Sequence, residues 1–346
     1  MKNKTVLVTG GTGYIGSWVV KELLEKSYTV RMTVRDKTRK DKIAHFDPIV
    51  EKADGKLELW EANLLTEGSF DDAAKGCDAV MHIASPFTLR FKNPQKDLID
   101  PALLGTRNVL NAATRSGTVK KVILTSSVAA VLGDNIDMKK QGLSQLTEEN
   151  FNISSTPTHQ PYSYSKIAAE KEAWKISENQ NQWKLIVLNP SFVLGPSLTA
   201  ASDSESMNFM KDLLKGKFFL AAPSLMFGFV DVRDVAHAHI LALENENASG
   251  RHILAERTLT IMGLSKILKR RYGKKYLLPL FTAPKALLIL MGGLFGVTPK
   301  FVKRNVGYPI RLNTRKSKES LGVEYTNLEL TLRDMVEQMQ NQNIVK

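Results

Sequence analysis

The sequence predicts an α/β protein: a doubly wound parallel sheet with a smaller, interleaved C-terminal lobe. Three observations predict it. Short apolar, β-branched runs alternate with helical stretches as far as Pro190, the rhythm of a parallel sheet covered on both faces. The first run breaks into a cluster of glycines, at Gly10, Gly11, Gly13 and Gly16, before a helix begins. From about Gly195 the rhythm changes to mixed short strands and helices. At 346 residues, 43% hydrophobic and 24% charged, the chain has ample material for a large core.

Taken in order, Thr5–Val8 is a buried strand. Ile15, Val19, Val20, Leu23 and Leu24 recur at helical spacing, so a helix starts near Tyr14. Thr29–Val34 is a second strand, and the charged stretch 37–53 reads as helical. Lys56–Trp60 and Ala79–Ile83 are the third and fourth strands. Pro94–Ser116 is a long helix in which Gly105 and Thr106 permit close packing. Lys121–Thr125 is a fifth strand, followed by a polar loop over 133–158. Pro161 opens a helix to about Glu178, and Lys184–Leu188 is a sixth strand. Leu198–Lys215 reads as a helix and Gly228–Val230 as a short strand.

A strand that turns on glycines into a helix points backbone N–H groups and the positive helix end at one place, where a pyrophosphate fits. Gly11, Gly13 and Gly16 satisfy G-x-G-x-x-G, and Gly10, Gly13 and Gly16 a wider spacing. Residues 1–195 are therefore expected to form a dinucleotide-binding domain that also carries the chemistry, and 196–346 mainly a substrate lobe interleaved with it. Gly10, Ala84, Ser127 and Pro190 each follow a strand, so they can meet along one crevice. An NAD-preferring turn places an acid at the end of the second strand. Val34 stands there, followed by Arg35, Lys37, Arg39, Lys40 and Lys42. Arg35 can stack on adenine and fork onto a 2′-phosphate, so the expected cofactor is NADP(H). Asp36 adjoins Arg35 as a tether, and Asn63 and Leu64 are placed to frame the adenine.

Tyr162 and Lys166 lie four residues apart at a helix start and share a face. An ammonium beside a phenol lowers its pKa from about 10, which suits the pair to proton transfer. Ser127, just after the fifth strand, supplies a hydroxyl for a carbonyl oxygen.

With these residues in place the chain resembles the extended short-chain dehydrogenases/reductases. It is most similar to the branch holding dihydroflavonol 4-reductase, cinnamoyl-CoA reductase and related aldehyde or ketone reductases. VTGGTGYIGSWVVKELLE, VILTSSVAAV, PYSYSKIAAEKEAW, LNPSFVLGPSL and FVDVRDVAHAHI carry the resemblance, which is weakest from Thr258 to Leu312. It implies a Rossmann domain and a catalytic Ser127, Tyr162 and Lys166. It implies a pyrophosphate turn of Gly10, Thr12, Gly13, Tyr14, Ile15 and Gly16, and 2′-phosphate contacts from Arg35 and Lys42. Ala84 and Ser85 match the nicotinamide-side loop, Pro190 and Val193 the carboxamide contact. Phe87, Leu89, Leu132, Phe192 and the segment 207–229 are the expected pocket wall. Some residues depart from the pattern. Asn63 replaces a common Asp, and Leu104 a common Asn. Gln160-Pro161-Tyr162-Ser163-Tyr164 differs from the cinnamoyl-CoA branch, which disfavours a CoA thioester. Leu132, where dihydroflavonol reductases place a polar residue, disfavours a polyhydroxylated flavonoid. The implied reaction is NADPH-dependent reduction of a simpler aldehyde or ketone. Rivals are a nucleotide-sugar epimerase or hydroxysteroid-type dehydrogenase, disfavoured by Val34-Arg35, and a non-catalytic dinucleotide sensor, disfavoured by the intact Tyr–Lys pair.

The net charge is +13, and Arg257–Lys318 contains no Asp or Glu. A solvated basic face is the plain expectation; no zinc-finger, RNA-binding or basic-zipper pattern supports nucleic acid. Leu277–Val297 is strongly apolar, but Pro279, Pro284 and Lys285 inside it exclude a spanning helix. A buried helix is expected there, with an interfacial or substrate-lid helix as alternatives. Contact with a membrane surface is not favoured. His82 reads as a packed core residue, and His237 and His239, two apart, as no metal pair; no metal is expected. The lone Cys77 and the absence of a signal peptide before the first strand suit the cytosol. Monomer and homodimer both stay open.

Overall fold

Both faces of the central strands are apolar because helices cover both. The structure is a computed structural model and describes residues 4–85, 91–199, 204–295 and 297–345. Its strands are β1 (Thr5–Thr9), β2 (Thr29–Val34), β3 (Lys56–Glu61), β4 (Ala79–His82), β5 (Lys121–Thr125) and β6 (Lys184–Pro190). There follow β7 (Phe192–Leu194), β8 (Ala221–Pro223), β9 (Met226–Asp231), β10 (Gly250–Leu254), β11 (Arg257–Thr260) and β12 (Phe281–Ala283). Seven of them form one parallel sheet in the order β10-β6-β5-β4-β1-β2-β3. The order reverses between β1 and β4, and a ligand crevice opens outside the carboxyl ends of strands at such a point.

The Tyr14–Glu25 and Val232–Glu244 helices cover one face, where Val19, Val20, Leu23, Val235 and Ile240 share a core. The Asp100–Arg115 and Pro161–Glu178 helices pack together over the other, around Val109, Leu110, Ala173 and Trp183. Gly105 permits a close approach, since a Cβ there would sit 3.1 Å from Leu64 Cδ2. Smaller sheets, β11-β9-β7 and β12-β8, build the second lobe around Met210, Leu264, Leu332 and Met335.

The six expected strands are all present. Several other expectations change. The stretch 37–53 is three short turns, Lys40–Ile43, Ala44–Phe46 and Asp47–Val50, because Pro48 lacks an N–H and restricts Asp47. The helix expected from Pro94 opens with a wide turn, Gln95–Ile99, because Pro101 cannot donate back along the ladder. The helix expected from Leu198 starts at Glu205, where Ser204 Oγ accepts from Met207 N at 3.2 Å. β10 was not expected at all, yet with the Val232–Glu244 helix it returns residues beyond 195 to the main sheet. Finally, the helix expected to be buried within Leu277–Val297 is short, Lys285–Met291, and none of its residues is buried.

Candidate active site

The turn after β1 is shaped by what cannot fit there. Gly10 has φ +72°, and a Cβ on it would lie 2.7 Å from Ala84 N. A Cβ on Gly16 would run into the Gly10 carbonyl, which accepts from Gly13 N at 3.0 Å. The Tyr14–Glu25 helix starts from Gly13 with no side-chain cap and no acid in its first turn, so its N–H groups remain available to an anion. Tyr14 itself turns aside: its hydroxyl donates to Gly195 O at 2.5 Å, across to the end of β7. Thr12 and Ile15 are half-buried. A glycine cradle under an uncapped helix end fits a dinucleotide pyrophosphate.

Arg35 is the first residue beyond β2 and is exposed. β2 pairs with β1 in register Thr9–Thr33, which puts the end of β2 beside the glycine turn. Lys42 lies in the adjacent Lys40–Ile43 turn. Asp36 does not tether Arg35 as expected: its carboxylate accepts from Thr38 N at 2.8 Å and Thr38 Oγ1 at 2.6 Å, the nearer local donors. Asn63 organises the turn after β3, accepting from Leu65 N at 3.0 Å, while Leu64 leans on Gly105. Ala84 and Ser85 follow β4, and Ala84 N donates to Thr9 O at 3.1 Å. Pro190 ends β6, and Val193 is buried in β7.

Ser127 lies two residues beyond β5 and its Oγ accepts from Ala129 N at 3.1 Å. Tyr162, on the first turn of the Pro161–Glu178 helix, is hydrogen-bonded to the Ser127 side chain. Lys166 Nζ lies 5.9 Å from the centre of the Tyr162 ring. The structure thus brings the three residues together. It corrects one expectation about their electrostatics. Burial pushes Tyr162 up to about 12, and the Ser127 hydrogen bond only partly opposes it. Burial likewise brings Lys166 down to about 8, against the pull of Glu170. Desolvation is the largest cause of both shifts because both groups are enclosed.

Sequence reasoning missed what lies behind this cluster. Glu170, fully buried, accepts from Ser126 Oγ, and from Asn189 Nδ2 at 2.8 Å. Arg251 Nε of β10 lies 2.5 Å from its other oxygen. The signal was present in part: Glu170 follows Lys166 by one helical turn. A second hub is Asp134, also fully buried. It accepts from His159 Nε2 at 2.9 Å, Gln160 Nε2 at 2.7 Å, Arg304 at 2.8 Å and Asn305 Nδ2 at 2.8 Å. Burial would raise its pKa, but the hydrogen bonds from Arg304, Asn305 and His159 hold it below the usual carboxylate range. Gln160 sits at φ +57° just before Pro161 and Tyr162, so this hub sets the start of the tyrosine helix.

On the expected substrate side, Phe192 packs against Phe209, Phe227 and Phe229, with ring centres 5.1, 5.9 and 6.0 Å away. Leu132 is buried with Met138, Leu146 and Ile310. Phe87 and Leu89 lie outside the described residues. His82 is buried and hydrogen-bonded to Thr9 Oγ1 at 2.8 Å. His237 meets Glu22 on the surface, whereas His239 is buried against Thr125 Oγ1 at 2.7 Å. Cys77 is buried, and that burial pushes its thiol up to about 11.

A glycine turn at the sheet's switch point, faced by serine, tyrosine and lysine, marks the extended short-chain dehydrogenases and reductases as a class. Within it, the chain belongs to the NAD dependent epimerase/dehydratase family, whose pattern matches residues 6–255. It is 37% identical over 337 residues to the cinnamoyl-CoA reductase CAD2 of Medicago truncatula, covering 96% of this chain and 95% of that one. It is 38% identical over 278 residues to an anthocyanidin reductase of Vitis vinifera, covering 78% and 81%. Among solved structures, Gre2 from Candida albicans in complex with NADPH superposes with a TM-score of 0.76 at 30% identity, covering 98% and 99%.

Proposed function

We propose that the protein is an NADPH-dependent reductase that converts an aldehyde or ketone to an alcohol. The observation that carries this reading is the hydrogen-bonded Ser127–Tyr162 pair above Lys166, at the strand ends that also hold the glycine turn. Gly10, Thr12, Gly13, Tyr14, Ile15 and Gly16 would hold the pyrophosphate, and Arg35 and Lys42 the 2′-phosphate. Asn63 and Leu64 would frame the adenine. Ala84, Ser85, Pro190 and Val193 would flank the nicotinamide, and Tyr162 and Lys166 its ribose. When bound, NADPH supplies the hydride that reaches the carbonyl carbon. Ser127 holds the carbonyl oxygen and polarises it. Tyr162, a phenol protonated at neutral pH and pushed up further by burial, donates the proton that the developing alkoxide needs. Lys166 supplies positive charge beside the phenol as that proton leaves. Glu170, held by Arg251, Ser126 and Asn189, keeps a counter-charge near Lys166.

The choice of NADPH rests on Arg35, which stands where an NAD-preferring turn carries an acid. The Gre2 relative solved with NADPH agrees with it. A buried, unpaired Cys77 fits a reducing compartment, so we place the protein in the cytosol. The test is NADPH oxidation, followed optically, against a panel of aldehydes, diketones and dihydroflavonols. Turnover is expected with the simpler carbonyls. Tyr162→Phe should lose at least about 100-fold in kcat while still binding NADPH, because only the proton donor is removed. Near-normal turnover by that variant overturns the assignment.

A further inference from the structure

The Lys285–Met291 helix presents a problem that the reductase reading does not solve. Its sequence, KALLILM, is apolar, yet Leu287, Leu290 and Met291 face solvent and Leu290 is 83% exposed. It is not alone. The preceding strand β12 pairs with β8, with Phe281 opposite Ala221, which brings Leu280 and Phe281 beside Leu220. Phe281 is 54% and Leu220 68% exposed. Leu280 N donates to Phe219 O at 3.0 Å, so this edge is fixed. These exposed apolar side chains thus sit on successive elements, β12 and the Lys285–Met291 helix, with only Pro284 between them, a concentration that an ordinary soluble surface avoids.

Lysines flank that stretch on both sides. Lys274 and Lys275 lead into it and are exposed. Lys300 and Lys303, also exposed, lie on the Pro299–Asn305 helix that packs against Lys285–Met291. Lys285 Nζ joins the two helices by donating to Lys303 O at 3.0 Å and Val306 O at 2.8 Å. No Asp or Glu occurs from Arg257 to Lys318. Carboxylates from elsewhere pair with Arg257, Arg270, Arg271 and Arg304, but no ion pair among the described residues uses Lys274, Lys275, Lys300 or Lys303. A second copy docking through the same face would bring lysines against lysines, which is repulsive. No helix among the described residues is long and apolar enough to cross a membrane. Exposed apolar side chains flanked by lysines, on a short helix, match an anionic bilayer surface: the leucines would reach the headgroup–acyl boundary while the lysines meet the phosphates.

We propose that this face docks the protein on an anionic phospholipid surface, with the Lys285–Met291 helix as the inserted element. The inference is independent of the reaction assigned above. It is tested by co-sedimentation of the full chain with vesicles of phosphatidylcholine alone or mixed with phosphatidylglycerol. Binding to the mixed vesicles is expected, and it should fall about tenfold on phosphatidylcholine alone or when salt is raised to about 0.5 M. Leu287→Asp with Leu290→Asp should weaken binding to the mixed vesicles at least about tenfold. Lys274→Glu with Lys275→Glu should do the same at low salt and decides the matter if the leucine variant melts early in a thermal scan. Three outcomes each overturn the proposal: no binding to the mixed vesicles; wild-type binding by both double variants; or a dimer in lipid-free solution that Leu290→Asp dissociates while vesicles bind nothing.

Discussion

Arg35 and Tyr162 show how much a single side chain decides. Arg35 is exposed at the end of β2, beside the glycine turn, so a guanidinium contact to a 2′-phosphate would be charge-assisted but open to solvent. Arg35→Ala should weaken NADPH by on the order of 1.5–3 kcal/mol, about ten- to hundredfold, with NADH nearly unchanged. Fluorescence titration of both cofactors at one ionic strength measures this, and equal weakening of both would show that Arg35 does not read the phosphate. Lys42→Ala should lose less, since a flexible ammonium is screened. The places of both residues in the fold could be read from the sequence, because the end of the second strand is a position, not a shape. The partner of Asp36 was not legible, because its nearest donor, Thr38, is set by a local turn. For Tyr162 the sequence suggested a proton donor, a role still proposed, and did not give its state. With burial pushing Tyr162 up to about 12 and bringing Lys166 down to about 8, carbonyl reduction should hold steady through neutral pH, start to fall as Lys166 loses its charge above about 8, and fall further as pH climbs toward 12. Alcohol oxidation, which needs the phenolate, should rise over the same range. A pH profile of both directions on one substrate pair checks the sign.

Among elements, the strands were read well and the connections poorly, for one physical reason. A parallel strand buried on both faces must be apolar along its length, and KVILT or KLIVL announces that locally. β10 breaks the rule: Arg251 and His252 stand in the middle of it. Arg251 is tolerated because Glu170, on another helix, takes its charge, and no local pattern reveals such a pair. The Asp134 hub is equally non-local, joining the loop after Ser127, the start of the tyrosine helix and the Pro299–Asn305 helix. Arg304→Met should therefore affect more than stability. Asp134 would keep three donors and lose its compensating charge, costing about 1–3 kcal/mol, less than a fully enclosed pair because Arg304 is partly exposed. The melting temperature should drop by several degrees. Because Gln160 hangs on the same carboxylate, kcat should fall more than KM for NADPH rises. A variant that melts early with unchanged kcat would restrict the hub to stability.

Over the whole molecule, buried histidines set an acid limit. Burial brings His82 down to about 3, with Lys166 adding to it, and His239 and His252 down to about 4. In the unfolded chain each titrates near 6.5. The stabilisation is complete above that value and is lost as pH falls, because the unfolded chain then takes up protons that the folded one refuses, at roughly 1.4 kcal/mol per pH unit for each histidine. Asp234, which burial pushes up to about 6, works the other way between about pH 4 and 6 and offsets one of the three. The melting temperature should therefore decline steadily from pH 7 to 5, and a flat profile would show that these rings are not held neutral. The sheet order carries a consequence for synthesis as well. β6 leaves the ribosome with its outer edge unpaired, and its neighbour β10 follows only after β7, β8, β9 and two helices have been made. At ordinary translation speed that interval lasts on the order of several seconds. Until it closes, an apolar KLIVL edge is open to any other strand in the cell. A nascent chain stalled near Gly195 already holds its serine, tyrosine and lysine, and should nonetheless be a substrate for chaperones rather than a working half of the protein.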